Sequence, residues 1–246
     1  MKHLFATACA FSALLAASPA LAQDADETGF YLSLNGGLAA VNDLDVSYYA
    51  PTGTFGGTAA RDTIDFSYNL DSAFAFGGAV GYDFGIVRAD VEVSYHRNKA
   101  SAVTLKGVNG TAVTLTPSDR EEVCDYLEAD SCGGSGNSFV FDGSRARQLS
   151  ALANLWVDAP ISGAITPYFG GGIGVTGYEL DGEGEARFAW QLGAGVAVKV
   201  TPNISLTGDY RYRQSNGVTI EDGPGEGLIL DNVKTNTFSV GLRFRF

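Results

Sequence analysis

The 246-residue chain is poor in sulfur, in imidazole and in positive charge: it holds one Met, three Cys and two His, and 16 Lys+Arg stand against 28 Asp+Glu. Recognition of nucleic-acid phosphates needs clustered Lys and Arg, so the acidic balance argues against a nucleic-acid partner. Long apolar runs are also missing. The stretch from Leu4 to Ala17 falls short of the about 20 residues that a transmembrane helix requires. A helical membrane protein is thereby excluded, whereas a membrane barrel is not, because its strands are apolar only at every second position. In abundance instead are 32 Gly, 11 Tyr and 15 Phe. Strands, tight turns and aromatic girdles use such residues; helices use them sparingly.

Lys2 and His3 precede the apolar run, which ends in Ser18-Pro19-Ala20-Leu21-Ala22 before Gln23. This pattern predicts a secretory signal peptide over residues 1–22 and a single all-β barrel domain over 23–246. Cys9 lies inside the run rather than after it, which argues against lipidation. Without Lys2 the formal charge is −13. Cys124 and Cys132 then meet an oxidising compartment, where a close pair is expected to form a disulfide stapling a surface segment. Two thiols without His or a third Cys nearby make a poor metal site, so neither metal nor cofactor is expected.

The last ten residues alternate strictly. Phe238, Val240, Leu242, Phe244 and Phe246 lie on one face, and Thr237, Ser239, Gly241, Arg243 and Arg245 on the other. Period-2 alternation of this kind is a strand between two unlike environments. Similar alternation marks eight segments, at about 28–40, 73–84, 86–98, 146–158, 165–178, 186–200, 203–215 and 235–246. Each is long enough to cross a bilayer as a tilted strand of about 9–11 residues. Tyr82-Asp83-Phe84-Gly85, the stretch from Asp158 to Gly163, and Thr201-Pro202-Asn203 read as tight turns. The other connections, around 41–72, 99–145, 179–185 and 216–234, are mostly longer, polar and acidic, and alternate with the short ones. Val46, Tyr48 and Tyr49 leave room for a hairpin extension in the first of them. The expected fold is a closed, eight-stranded, antiparallel up-and-down β-barrel spanning a membrane.

Two barrels fit alternation alone: a membrane barrel with charge inside, and a lipocalin-like soluble one with charge outside. The terminal Phe246, the aromatics near strand ends (Phe30, Phe74, Phe76, Tyr82, Phe84, Tyr95, Tyr178, Tyr210, Tyr212) and the short-long pattern of connections favour the first.

The closing Phe238-to-Phe246 strand, the opening Gly29-Phe30-Tyr31-Leu32-Ser33-Leu34-Asn35-Gly36-Gly37 and the glycine-rich Tyr168-Phe169-Gly170-Gly171-Gly172-Ile173-Gly174 carry a resemblance. The chain resembles the small bacterial outer-membrane β-barrel proteins, such as the membrane domain of outer-membrane protein A and the 25/31 kDa and opacity-type proteins. That resemblance implies a location in the outer membrane of a Gram-negative bacterium, among outer-membrane lipid and lipopolysaccharide. It also implies an assembly signal at Leu242, Phe244 and Phe246, read by the outer-membrane assembly machinery.

An eight-stranded barrel is just wide enough to be filled by its own side chains. Arg88, Asp90, Glu92, Asp209, Arg211 and Arg243, with Gln191 and Asn35, are expected to point inward and pair as a polar plug. A narrow passive porin is the alternative. A more remote one is an enzyme of the lipid A acylhydrolase type, using Glu92, Ser94 and His96 on one face of a strand; residues two apart form a row aimed at the lumen, and no catalytic site is assigned. The acidic loops fit no calcium-loop motif and read as a solvated surface, open to host or phage proteins. A closed barrel leaves no edge to share, so a monomer is expected.

Overall fold

A computed structural model describes residues 28–126, 133–140, 145–159, 164–180 and 183–246. The expected signal peptide and Cys132 lie outside the described residues. In chain order the strands are β1 (Thr28–Val41), β2 (Leu44–Pro51), β3 (Arg61–Leu70), β4 (Ala73–Phe84), β5 (Val87–Val108), β6 (Thr111–Ala112) and β7 (Ser138–Val140). They continue with β8 (Arg145–Asp158), β9 (Ile165–Leu180), β10 (Glu183–Thr201), β11 (Ile204–Ser215), β12 (Val218–Gly223), β13 (Glu226–Leu230) and β14 (Val233–Arg245). Among the described residues one helix, α1 (Pro117–Tyr126), interrupts them.

Eight strands coincide with the eight alternating segments and form a ring. Antiparallel pairing runs β1–β4–β5–β8–β9–β10–β11–β14 and returns from β14 to β1, with Tyr31 opposite Arg245 and Val41 opposite Thr235. Two-residue connections join β4 to β5 and β10 to β11. At the first of these Gly85 has φ of +101°, a backbone that a side chain would strain.

Among the described residues there are fourteen strands, the eight of the ring and six more. The connections read as loops build a second sheet, ordered β12-β13-β2-β3-β5. The cause is visible in β2 and β3, where Leu44, Val46 and Tyr48 and then Ile64, Phe66 and Tyr68 alternate with polar residues. β2 and β3 are the hairpin extension for which Val46, Tyr48 and Tyr49 left room. β5 carries both sheets: its first part pairs with β4 and β8 in the ring, and its second with β3, β6 and β7. At 22 residues and about 3.3 Å rise per residue it is roughly 70 Å long. An apolar belt on a membrane barrel is only about 25 Å tall. Asn109-Gly110, both at positive φ, turn the chain from β5 into β6. Thr116 caps α1: its hydroxyl accepts the Asp119 amide at 3.3 Å while the Asp119 carboxylate accepts the Thr116 amide at 2.8 Å, a reciprocal box ahead of Pro117.

Burial around the ring is inverted relative to a soluble protein. Val240 is 67 % exposed, Phe30 65 % and Leu155 62 %, whereas Arg88 and Glu92 are 2 % exposed. The lipocalin-like reading requires the opposite distribution and is overturned. Paired rings sit on the outer face, Phe30 with Tyr82 at 5.0 Å at the turn end and Tyr210 with Phe238 at 4.8 Å toward the other. Tyr178 departs from the girdle expectation: its hydroxyl lies 2.6 Å from Ser215 Oγ, and it lines an interior cavity.

Candidate functional site

The parity of each strand decides what fills the ring. On β5 the outward Val87, Val91 and Val93 leave Arg88, Glu92 and His96 inside; on β8 the outward Leu149, Ala153 and Leu155 leave Ser150, Leu152, Asn154 and Trp156 inside. Removing these polar groups from water requires partners among themselves.

Near the turn end, Arg88 grips Asp158 bidentately, Nε and Nη2 each donating at 2.8 Å, and Arg245 donates to Asp83 at 3.0 Å. Arg243 joins this layer, with its guanidinium 5.6 Å from the Tyr31 ring centroid and 5.2 Å from that of Tyr168. The expected ion pair of Arg243 is thus replaced by two aromatic faces, which attract cations through their ring quadrupoles.

In the middle layer, Asp90 accepts from Tyr31 Oη at 2.6 Å, Trp156 Nε1 at 3.0 Å and Asn154 Nδ2 at 2.7 Å. Asp209 accepts from Arg211 Nε at 2.7 Å, Ser239 Oγ at 3.0 Å and Tyr168 Oη at 3.1 Å. Glu92 on β5 meets Arg211 on β11, and also Arg213 at 3.4 Å. β5 and β11 are four strands apart in the ring by either route. The Glu92–Arg211 pair therefore crosses the lumen. Gln191 reinforces the crossing, donating to Asn154 Oδ1 at 2.7 Å and Glu92 Oε2 at 3.4 Å.

The structure thus brings Arg88, Asp90, Glu92, Asp209, Arg211 and Arg243 into one interior. Asn35 lines both small cavities left there, each of about 20 Å³, room for about one water. Glu92, Ser94 and His96 do not form a catalytic row: Glu92 serves the arginines, His96 Nδ1 lies 2.6 Å from Asn98 Oδ1, and Ser94 Oγ has no hydrogen-bond partner. Among the described residues no cluster of His, Cys, Asp and Glu could hold a metal ion. Cys124 is buried and disulfide-bonded, while its expected partner Cys132 falls outside the described residues. Phe246 is 75 % exposed, with its amide donating to Phe30 O at 2.9 Å; Leu242 is exposed and Phe244 half-buried.

Sequence reasoning missed the aromatic half of the interior: Tyr31, Trp156 and Tyr168. A signal was present in the glycines. A Cβ on Gly81 would meet the Tyr31 ring at 2.7 Å, one on Gly195 the Tyr168 ring at 2.7 Å, and one on Gly193 the Trp156 ring at 3.0 Å. Glycines facing inward make room for rings that the narrow ring could not otherwise hold. Asp158 and Asp83, partners of Arg88 and Arg245, lie in stretches whose sequence signals only a turn.

At the other end the second sheet holds its own charges. Asp62, fully buried, accepts the amides of Phe55 at 2.5 Å and Gly57 at 3.1 Å. Burial pushes its carboxyl up, but the backbone donors outweigh that and hold it below the usual carboxylate range. Asp45 pairs with Lys106; there too partial burial works upward and is outweighed, chiefly by the ammonium's hydrogen bond.

A family model described as the outer membrane protein beta-barrel domain matches residues 7–246. An uncharacterised protein of Brucella abortus is 28 % identical over 227 residues, covering 75 % of this chain and 73 % of its own. Major surface antigen 4 of Anaplasma marginale is 25 % identical over 199 residues, covering 75 % of this chain and 65 % of its own. Among solved structures, the outer membrane protein OprG of Pseudomonas aeruginosa superposes with a TM-score of 0.50 at 14 % identity, covering 89 % of this chain and 97 % of that one. This last likeness is one of fold.

Proposed function

The chain belongs to the outer membrane protein beta-barrel domain family, and from that premise we propose that it is a closed eight-stranded transmembrane barrel whose role is structural. It stabilises the envelope and holds a folded acidic platform at the cell surface, with its lumen plugged by its own side chains. The observation that carries this reading is the Glu92–Arg211 pair crossing the ring, braced by Arg213, Gln191 and Asn154. A conduit needs a continuous water path, and the two cavities beside the crossing are of only about 20 Å³ each. The name of the Anaplasma relative, a surface antigen, supports presentation at the surface. As a monomer among lipopolysaccharide it would meet host or phage proteins through the second sheet, and the assembly machinery through Leu242, Phe244 and Phe246.

Planar-bilayer recording of the refolded protein tests the plug. We expect a folded, inserted and silent barrel, and no steps on replacing Arg88 or Arg243, which lie outside the crossing. Discrete steps in the unmodified protein, changing in size with Glu92→Ala or Arg211→Ala, would establish the narrow porin instead.

A further inference from the structure

Between the loop end of the ring and the second sheet lies a cavity of about 370 Å³. Ligand pockets run from about 300 to 1,000 Å³. One wall is apolar: Leu44 from β2, Leu70 from β3, Val218 and Ile220 from β12, Leu228 and Leu230 from β13. A core serving only to clamp one sheet onto the other would be close-packed, with few voids larger than a water. This one is open by far more than that.

His96, 3 % exposed, lines the cavity, and Gln148, Tyr178, Arg187 and Asp231 line it too. Asn98 Nδ2 donates to Asp71 O at 2.7 Å and Ala39 O at 3.3 Å, so the Asn98 Oδ1 that faces His96 is an acceptor. The His96 Nδ1, 2.6 Å away, therefore carries the ring proton. Nε2 is left as an acceptor, buried and with no hydrogen-bond partner. A buried acceptor without a donor costs free energy, and a ligand that brings one donor removes that cost.

We propose that this cavity binds a small aliphatic molecule bearing one neutral hydrogen-bond donor, of the class of a medium-chain alcohol. Its hydroxyl donates to His96 Nε2 and its chain lies against Leu44, Leu70, Ile220 and Leu228. A carboxylate brings no proton for Nε2, and a pure hydrocarbon leaves it unsatisfied. Beneath His96 the Glu92–Arg211 crossing blocks the way, so the site is a dead end; that last point rests on the plugged-lumen reading, whereas the binding does not.

Only His3 and His96 are histidines, so after signal removal a histidine ring labelled with nitrogen-15 reports on His96 alone. The mature protein in lipid nanodiscs, at fixed pH, is titrated with decanol and separately with decane. The expected result is a saturable change of the Nε2 resonance toward a hydrogen-bonded acceptor with decanol and no such change with decane. Leu228→Trp, which fills the cavity, should abolish the saturable change; Leu70→Trp fills it from β3 should the first variant fail to show the mobility shift of a folded barrel. A change that grows without saturating, or one that persists unaltered in the filled variants, would overturn the site. Because conductance is recorded separately, loss of the plugged-lumen reading and loss of this site are distinguishable.

Discussion

Glu92 answers two arginines at once, Arg211 and Arg213, and Arg211 in turn holds Asp209. Removing a single member of such a set leaves charge buried without compensation, which costs about 3–5 kcal/mol, more than the pair is worth as a pair. Glu92→Ala should therefore lower the urea midpoint of the barrel in vesicles, read from the mobility difference between boiled and unboiled samples. Replacing Glu92 and Arg211 together should recover part of the loss. Asp62 gives a prediction in pH. Its folded carboxyl titrates below its unfolded value of about 3.9, so its stabilisation is fully present above that value and is lost as pH falls through the folded one. The amide resonances of Phe55 and Gly57 should move together below about pH 4, and Asp62→Asn should remove that titration. The interior polar set was legible at this scale because parity alone sorts Arg88 from Val87. Which carboxylate answers which arginine was not: Arg88 and Asp158 are 70 residues apart, and Glu92 and Arg211 are 119, so both contacts depend on register and on how the ring closes.

Strands are where the sequence spoke most plainly. All eight ring segments alternate over more residues than a bilayer crossing needs, and each coincides with a strand of the structure, with only Ile86, Asn203 and Phe246 lying one residue outside. β12 and β13 were hidden for a physical reason. Val218–Gly223 and Glu226–Leu230 are short, and what makes them sheet is pairing with each other and then with β2, far back in the chain, where Leu228 lies opposite Tyr48. The seam between β1 and β14 is sensitive to a single methyl group. A Cβ on Gly37 would collide with the Phe238 carbonyl and come within 2.6 Å of Ser239 Cα. Backbone cannot yield as a side chain tip can, and overpacking of this kind costs about 1–3 kcal/mol. Gly37→Ala should lower the temperature at which the unboiled band disappears, whereas Gly208→Ala, where a Cβ meets nothing within 4 Å, should leave it unchanged.

For the molecule as a whole, two bodies of sheet share β5. The ring is apolar outside and polar within, and only a surrounding of lipid makes that arrangement favourable. The second sheet is built of separate strands on the extension of β5. Replacing residues 218–230 by a short turn should therefore leave a barrel that still shows the mobility shift and still inserts. It should remove the cavity wall formed by Val218, Ile220, Leu228 and Leu230, which decanol titration would register.

Tyr31 pairs with Arg245 across roughly 200 residues of intervening chain, and this fixes an order of events as well as a shape. The first strand to arrive waits for the last, and until β14 is delivered the growing sheet exposes two unsatisfied edges of the kind that invite pairing with other chains. Contacts so distant in sequence also form slowly. A polypeptide cut short before β14 lacks one side of the β1–β14 seam and leaves β1 with an unpaired edge.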